Sequence, residues 1–277
     1  VYYGETGMAA WPRGAIDVAL WDLKAQAAGE PLYRYLGGTE RAVPVYASLM
    51  DATEDNVETV AYRHGEYADQ GFTAFKTKVG NRPAAEERRR IEAIRNRVGD
   101  EADLFVDANQ AWTVKEAIDH VDAMSDAAPS WVEEPISEWN LRGHERVATA
   151  IDPPLATGEM FYRPERFEFL FDVGTVDVLQ PDLIRLGGVS AMQEAAAMAQ
   201  RHNVPMAPHF YVAVSAHVVS AAPTGVIAEY IPAYDIRELL VEPPEIEDGH
   251  LLLPNRPGHG YEIARDARRE YEIDPTP

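Results

Sequence analysis

Three acidic residues recur at equal intervals near the middle of the chain, each at or close to the end of a short apolar run. Asp107 lies in LFVDANQ, Glu133 in WVEEP and Glu159 in LATGEM, and both steps are 26 residues long. A strand with its following helix occupies about that length, so the acids are expected at the ends of neighbouring parallel strands. Converging carboxylates repel one another unless a cation lies between them. Since three carboxylates without histidine or cysteine suit a hard ion, the pattern predicts Mg²⁺ rather than zinc.

Lysine is the second residue type that could do chemistry, in the tripeptide Lys76-Thr77-Lys78. Side chains two apart on a strand share a face, so both ammonium groups are expected to point the same way. A solvated surface pair is the ordinary interpretation, but half of the chain's four lysines stand here, directly after an apolar run. Two neighbouring ammonium groups and a nearby cation disfavour each other's charge. This predicts a lysine pKa lowered toward the range of a working base.

Two acidic motifs contain a choice of residue. Asp107 and Asn109 are expected to share a face, as an acid with an amide partner. Glu133 and Glu134 point to opposite faces of a strand, so only one can enter the site. Strand parity alone leaves both open, and the equal spacing of the three acids favours Glu133. Each of these acids taken singly is more often a helix cap or an ion-pair partner.

Three later apolar runs end in Asp182, His209 and Glu229. A lone histidine is more often structural than catalytic, but a carboxylate on the neighbouring strand can orient it and keep it basic. For Glu229 the alternative is an exposed acid on the rim. Gly187 and Gly188 most simply end a strand and open a helix, and a phosphate cradle is the less favoured interpretation.

Eight short apolar segments alternate with helical patterns, which predicts a parallel β/α barrel with its site at the carboxyl ends of the strands. A helix is expected at 12–28, before the first strand, and another from Thr53 to about residue 70. From residue 231 the chain is rich in proline and suggests a second, smaller unit. The predicted strands are 43–49, 75–79, 103–108, 131–135, 154–159, 177–182, 204–209 and 225–230.

Composition narrows the class of protein. The 277 residues are 46% hydrophobic and include no cysteine, which suits one large domain, or one plus a small companion, in a reducing cytoplasm. The net charge of −21 disfavours nucleic acid as a partner, and no apolar run approaches the length of a membrane span. An acidic surface with arginine preferred to lysine also predicts a salt-rich, halophilic source. Because Val1 stands in place of an initiator methionine, the sequence is expected to begin part-way through a longer protein.

The set of motifs resembles the enolase superfamily and, within it, the mandelate racemase subgroup. Their order and spacing carry the resemblance, which extends over nearly the whole chain. It implies a modified TIM barrel, (β/α)₇β, with remnants of an α+β capping domain. Residues 1–40 are then the end of that domain and a lead-in helix, 41–230 the barrel, and 231–277 a segment that returns to the cap. The matching motifs are KTK at 76–78, DAN at 107–109, EEP at 133–135, GE at 158–159, PD at 181–182, PHF at 208–210 and AE at 228–229.

The resemblance also implies roles for individual residues. The family's magnesium ligands fall on Asp107, Glu133 and Glu159. Its base falls on Lys78, and Lys76 stands beside the carboxylate of the substrate.

On the other side of the site, the family's His-Asp dyad falls on His209 and Asp182. Glu229 matches the acid that hydrogen-bonds the substrate carboxylate. We also expect Asn109 to contact the substrate. By the same resemblance, the loops of the capping domain that close over the substrate are expected to lie outside this sequence.

The reaction implied is Mg²⁺-dependent removal of the proton next to a carboxylate, through an enediolate. Dehydration of a sugar acid to a 2-keto-3-deoxy acid is favoured, because MAPHFYVAVSAHV resembles acid-sugar dehydratases. A racemase of a 2-hydroxy acid and a barrel that binds metal and acid without catalysis are the alternatives. The family implies a homo-oligomer, a dimer or an octamer.

Overall fold

The molecule is an α/β protein built on a parallel β-barrel. A computed structural model describes residues 6–51 and 55–271, without the side chain at position 268. The predicted start of a helix at Thr53 lies outside the described residues, and that helix is present from Val57 onward. The strands are β1 (Ala42–Ser48), β2 (Ala74–Lys78), β3 (Asp103–Asp107), β4 (Trp131–Glu133), β5 (Leu155–Thr157), β6 (Val178–Leu179), β7 (Ala228–Tyr230), β8 (Glu245–Glu247) and β9 (His250–Leu252).

Helices alternate with these strands, as the apolar periodicity predicts. Asn56 caps one of them and Thr113, in a capping box with Glu116, caps another, which satisfies backbone N–H groups that have no partner within the helix. The helices are α1 (Ala10–Ala28), α2 (Leu32–Tyr35), α3 (Val57–Ala68), α4 (Ala84–Val98), α5 (Val114–Ala123), α6 (Leu141–Ala150), α7 (Phe167–Asp172), α8 (Leu183–Leu186), α9 (Val189–His202), α10 (Val212–Ala221) and α11 (Arg265–Tyr271). Short 3₁₀ turns lie at Gly7–Ala9, Ser125–Ala127, Pro164–Arg166, Pro232–Tyr234 and Arg237–Leu239.

The parallel ladder runs in the order β6-β5-β4-β3-β2-β1-β7. The predicted strand at 204–209 is not a continuous strand. It makes isolated parallel bridges from Met206 to Leu179 and Gly225. Pro205 and Pro208 lie within that segment, and proline has no N–H to donate to a ladder, which explains why only single bridges form. Seven strands and this bridged segment therefore make the eight positions of the barrel.

Along each strand, successive side chains point alternately outward and inward, so they form two layers. One set packs outward under the helices, and the other fills the barrel interior with Tyr46, Ala74, Phe105, Trp131, Ala156, Val178 and Ala207. The Phe105 and Trp131 rings stack, and Tyr46 meets both edge-on at 5.2 and 5.6 Å between centroids. This interior set is an apolar layer, and the next inward positions toward the carboxyl ends include the charged residues Lys76, Asp107 and Glu133 and the histidine His209.

The two ends of the described chain pack against the barrel. Strand β9 pairs antiparallel with the start of β1, and the backbone N–H of Leu32 donates to the carbonyl of Gly258 at 2.7 Å. Helix α1 packs on α8, with Gly14 against the backbone of Ile184. Across residues 6–51 and 55–271, no helix combines the length and apolar character needed to cross a bilayer.

Candidate active site

The charged layer centres on Lys76, whose side chain points into the barrel from β2 and is buried. Its Nζ lies 2.6 Å from Glu133 Oε1, 2.8 Å from Glu229 Oε1 and 3.5 Å from Asp107 Oδ2. Burial by itself lowers the pKa of Lys76, but the attraction of Glu133 and Glu229 outweighs it, so the pKa is raised. Lys76 is therefore a fixed cation on which carboxylates from three strands converge.

Lys78 lies one inward position further along β2, as strand parity predicts. Its ammonium group donates to Asp107 Oδ2, and its side chain is about one-fifth exposed. The prediction of a lowered lysine pKa is wrong for this arrangement. Burial does act to lower the pKa of Lys78, but the adjacent Asp107 carboxylate outweighs it and raises the pKa. For both lysines, the attraction of the nearby carboxylates outweighs the repulsion between the two ammonium groups.

Asp107 and Glu133 stand opposite each other in the register of β3 and β4. Glu133 accepts hydrogen bonds from Lys76, from Gln180 Nε2 at 2.7 Å and from Trp131 Nε1 at 3.3 Å. Burial and then repulsion by Asp107 raise the pKa of Glu133 to about 8. Asp107 behaves oppositely, since Lys78 and Lys76 lower its pKa in spite of burial.

Glu134 and Asn109 both lie beyond the strand ladder, with φ of 39° and 43°. Glu134 is buried and accepts from Gln110 Nε2 at 3.0 Å, and burial and then repulsion by Glu159 raise its pKa to about 9. Asn109 has an exposed side chain, and its backbone N–H donates to Asp107 Oδ1 at 2.9 Å. Because strand parity ends at residue 107, the expectation that the Asp107 and Asn109 side chains share a face is wrong.

Glu159 follows β5 and is buried on the side of the layer away from the two lysines. Its Oε1 accepts from Arg185 Nη1 at 3.0 Å, and its Oε2 lies 3.4 Å from His209 Nε2. Sequence patterns do not identify Arg185 or Gln180 as residues of the site. The one available signal is their position near Asp182: Gln180 stands two residues before it, and Arg185 stands three residues after it.

His209 and Asp182 form a hydrogen-bonded pair at neighbouring barrel positions, joined also by a parallel bridge. His209 Nδ1 lies 2.7 Å from Asp182 Oδ2, while Asp182 Oδ1 accepts from the backbone N–H groups of Ile184 and Arg185 at 2.9 and 2.7 Å. Burial opposes the charge of His209, but Glu159 and the bond to Asp182 outweigh it and raise its pKa. The histidine is thus oriented by Asp182 and made more basic.

Glu229 connects the two sides of the layer. One oxygen lies 2.8 Å from Lys76 Nζ, and the other accepts from the backbone N–H of Phe210 at 2.9 Å and lies 3.9 Å from His209 Nε2. Burial opposes its charge, yet Lys76 and then His209 lower the pKa of Glu229 to about 2. The side chain is buried, so the alternative of an exposed rim acid is wrong.

Gly187 and Gly188 join α8 to α9 at positive φ, 117° and 98°. The N–H of Gly188 donates to Leu183 O at 2.7 Å, and Ser190, in the first turn of α9, donates from its N–H to Asp17 at 2.9 Å. These donors already have protein acceptors, one of them a carboxylate. The structure therefore favours the interpretation in which the glycines end one element and open a helix.

The donor set fits a hard divalent cation. Asp107, Glu133 and Glu159 are all buried, and burial and the repulsion of Asp107 raise the pKa of Glu133 even with Lys76 beside it, so a divalent cation between these acids would be favoured. As the side chains stand, no three acids or histidines among residues 6–51 and 55–271 are arranged to hold an ion. Instead, Lys76 and Lys78 contact Asp107 and Glu133, while Arg185 contacts Glu159.

Converging acids, a lysine pair and a His-Asp pair at the carboxyl end of a parallel barrel place this chain in the class of α/β barrels with a strand-end site suited to acid–base chemistry. The family model "Enolase C-terminal domain-like" matches residues 59–267. The chain belongs to this family, in the mandelate racemase group of the enolase superfamily.

Individual relatives fall in the same group. L-talarate/galactarate dehydratase of Salmonella typhimurium is 35% identical over 96% of this chain, which spans 66% of that enzyme. The structure of L-talarate dehydratase from Polaromonas with Mg and L-glucarate is 31% identical, with a TM-score of 0.90 over 97% of this chain and 74% of that one. A Streptomyces coelicolor racemase with bound magnesium is also 31% identical, with a TM-score of 0.90 over 95% and 72% of the two chains.

Proposed function

We propose that this protein is a Mg²⁺-dependent lyase that dehydrates a sugar acid to a 2-keto-3-deoxy acid. The observation that carries the proposal is a base candidate on either side of one buried carboxylate cluster. Lys78 is anchored at Asp107, and His209 is held by Asp182. The similarity to dehydratases of acid sugars supports the choice of substrate class.

Asp107, Glu133 and Glu159 would hold the ion, whose positive charge would stabilise the negative charge that develops on the substrate carboxylate. Lys76 and Glu229, joined at 2.8 Å, would contact the same carboxylate, and Asn109 would lie at the edge of the substrate. The buried ammonium of Lys76 is held in place by Glu133 and Glu229, so it can stabilise charge without rearrangement.

Lys78 would remove the proton next to the carboxylate. Its raised pKa results from the attraction of Asp107, so it can lose its proton only when that attraction is weakened. His209 has the opposite requirement. Its raised pKa and its bond to Asp182 favour the imidazolium form, which would protonate the departing β-hydroxyl.

The same two groups could instead exchange a proton between the two faces of the α-carbon, which is racemisation. The similarity to a racemase structure favours retaining this alternative. A screen of sugar acids with Mg²⁺, at low and high salt, separates the two. We expect a 2-keto-3-deoxy product from at least one acid. Exchange of the α-proton in D₂O without any keto product would contradict dehydration and support the racemase.

Two variants test the roles of the bases and the possibility of a non-catalytic barrel. Lys78→Ala and His209→Asn should each abolish turnover while the protein still binds Mg²⁺, measured by titration calorimetry. Turnover that survives both changes would refute the assigned roles. A homodimer or octamer, a cytoplasmic location and a halophilic source remain predictions, and the salt dependence of activity in the same screen tests the last of them.

A further inference from the structure

Arg185 is the one guanidinium that contacts the carboxylate layer in the described part of the chain, and the proposed reaction does not use it directly. Its Nη1 donates to Glu159 Oε1 at 3.0 Å and to the carbonyl of Glu159 at 3.3 Å. The same nitrogen lies 3.1 Å from Met160 Sδ, and Nε lies 3.9 Å from Asp182 Oδ2. The side chain is about one-fifth exposed, so solvent screens these contacts only in part.

The helix that carries Arg185 is held on both sides. Asp182 caps α8 by accepting from the backbone N–H of Arg185 at 2.7 Å, so the residue that orients His209 also fixes the start of this helix. From the outside, Arg13 Nη2 donates to Leu186 O at 3.2 Å at the end of α8. A Cβ on Gly14 would lie 2.6 Å from the carbonyl oxygen of Ile184, so α1 and α8 are in direct backbone contact.

We propose that Arg185 is a positioning residue that holds Glu159 in the orientation required of a metal ligand and links it to the Asp182–His209 pair. The inference rests on the proposed function of Glu159. Two contacts, one to the side chain and one to the main chain, restrict both the rotamer of Glu159 and the backbone after Gly158, whose φ is 144°. Glu159 Oε2 is left facing His209. Partners that orient metal ligands in this way are commonly needed for full metal affinity.

The test is Mg²⁺ affinity of the whole chain, measured by titration calorimetry on Arg185→Gln, Arg185→Lys and the matched control Arg201→Gln. Arg201 also pairs with a glutamate, Glu168, at 2.9 Å, but its pair lies on α9 and α7 away from the site. We expect Arg185→Gln to weaken Mg²⁺ binding by about 10- to 100-fold. Arg185→Lys should recover part of the loss, and the control should bind Mg²⁺ as the unchanged protein does.

A double-mutant cycle shows whether Arg185 acts through its carboxylate partner. In a Glu159→Gln background, Arg185→Gln should cost little further affinity. If Arg185→Gln does not fold, Arg185→Met replaces it in both arms. An affinity within about twofold of the unchanged protein, an equal loss in the Arg201→Gln control, or losses that simply add in the cycle would each overturn the inference.

The same titrations distinguish failure of the inference from failure of the proposed function. Mg²⁺ binding that is lost in Asp107→Asn but kept in Arg185→Gln overturns only the role of Arg185. An unchanged protein that does not bind Mg²⁺, or an Asp107→Asn variant that binds it normally, would overturn the metal site itself and the role of Arg185 with it.

Discussion

Replacing Lys76 with methionine should destabilise the folded protein, because it leaves buried carboxylates without their shared cation. Methionine matches the length of most of the lysine stem, so the main change is the loss of charge. Glu229 is the clearest measure of that loss. Its pKa falls from the usual 4.5 to about 2 in the folded protein, and Lys76 is the largest contributor to that fall.

The expected magnitude follows from that pKa. At about 1.4 kcal/mol per pKa unit, the lowering corresponds to about 3 kcal/mol of folding stability. Breaking a buried ion pair by removing one partner typically costs about 3–5 kcal/mol, which agrees. Because the pKa of Glu229 is lowered, this contribution is fully present above about pH 4.5 and is lost as the pH falls toward 2.

Urea unfolding at pH 7 in metal-free buffer measures the effect for Lys76→Met. The second variant, Lys76→Met with Glu229→Gln, removes the unpaired charge, while its amide oxygen can still accept from the N–H of Phe210. We expect the double variant to recover at least half of the lost stability. A loss below about 1 kcal/mol in Lys76→Met, or costs of the two changes that simply add, would refute the reasoning.

Three further predictions concern groups outside the charged layer. Burial lowers the pKa of His217 to about 3, so folding stability should fall as the pH drops from about 6.5, by up to about 1.4 kcal/mol per pH unit. The His217→Gln variant should show a weaker pH dependence of the urea unfolding midpoint, and equal slopes in both proteins would contradict this. Gly14→Ala should lower the melting temperature, since its Cβ would meet backbone rather than a movable side chain, and an unchanged melting temperature would show that α1 can shift away from α8. Thr113→Ala should cost about 1 kcal/mol through loss of the α5 cap, and a smaller effect in Thr113→Ser than in Thr113→Ala would confirm the hydroxyl as the cause.

Much of the arrangement could be predicted from local sequence patterns. Strand parity places Lys76 and Lys78 on one face, and the spacing of the acids favours Glu133 over Glu134. In the structure both lysines point into the barrel, and Glu133 stands in register with Asp107. The prediction for the lysines succeeds because the alternation of a strand is a property of the strand itself. The choice of Glu133 over Glu134 as a metal ligand stays a prediction, since both side chains are buried.

Parity fails where the chain leaves the ladder. Asn109 adopts a left-handed conformation two residues after Asp107, so its side chain turns outward. The segment 204–209 has the composition of a strand, but Pro205 and Pro208 reduce it to isolated bridges. In the first case the conformation of the backbone determines the outcome, and in the second the missing N–H of proline does, rather than the hydrophobic pattern.

By itself, the sequence determined which side chains stand at the ends of the barrel strands. It also determined the chemistry open to them, namely cation binding by carboxylate oxygens and proton transfer by lysine and histidine. Only the tertiary structure decided how their charges pair. It placed a carboxylate against each lysine, so that the pKa of Lys78 is raised where proximity of the two lysines predicted a lowered one. It also brought Arg185 from α8 onto Glu159. The physical reason is that the energy of a buried charge depends on distances of a few ångströms between residues that are far apart in the chain.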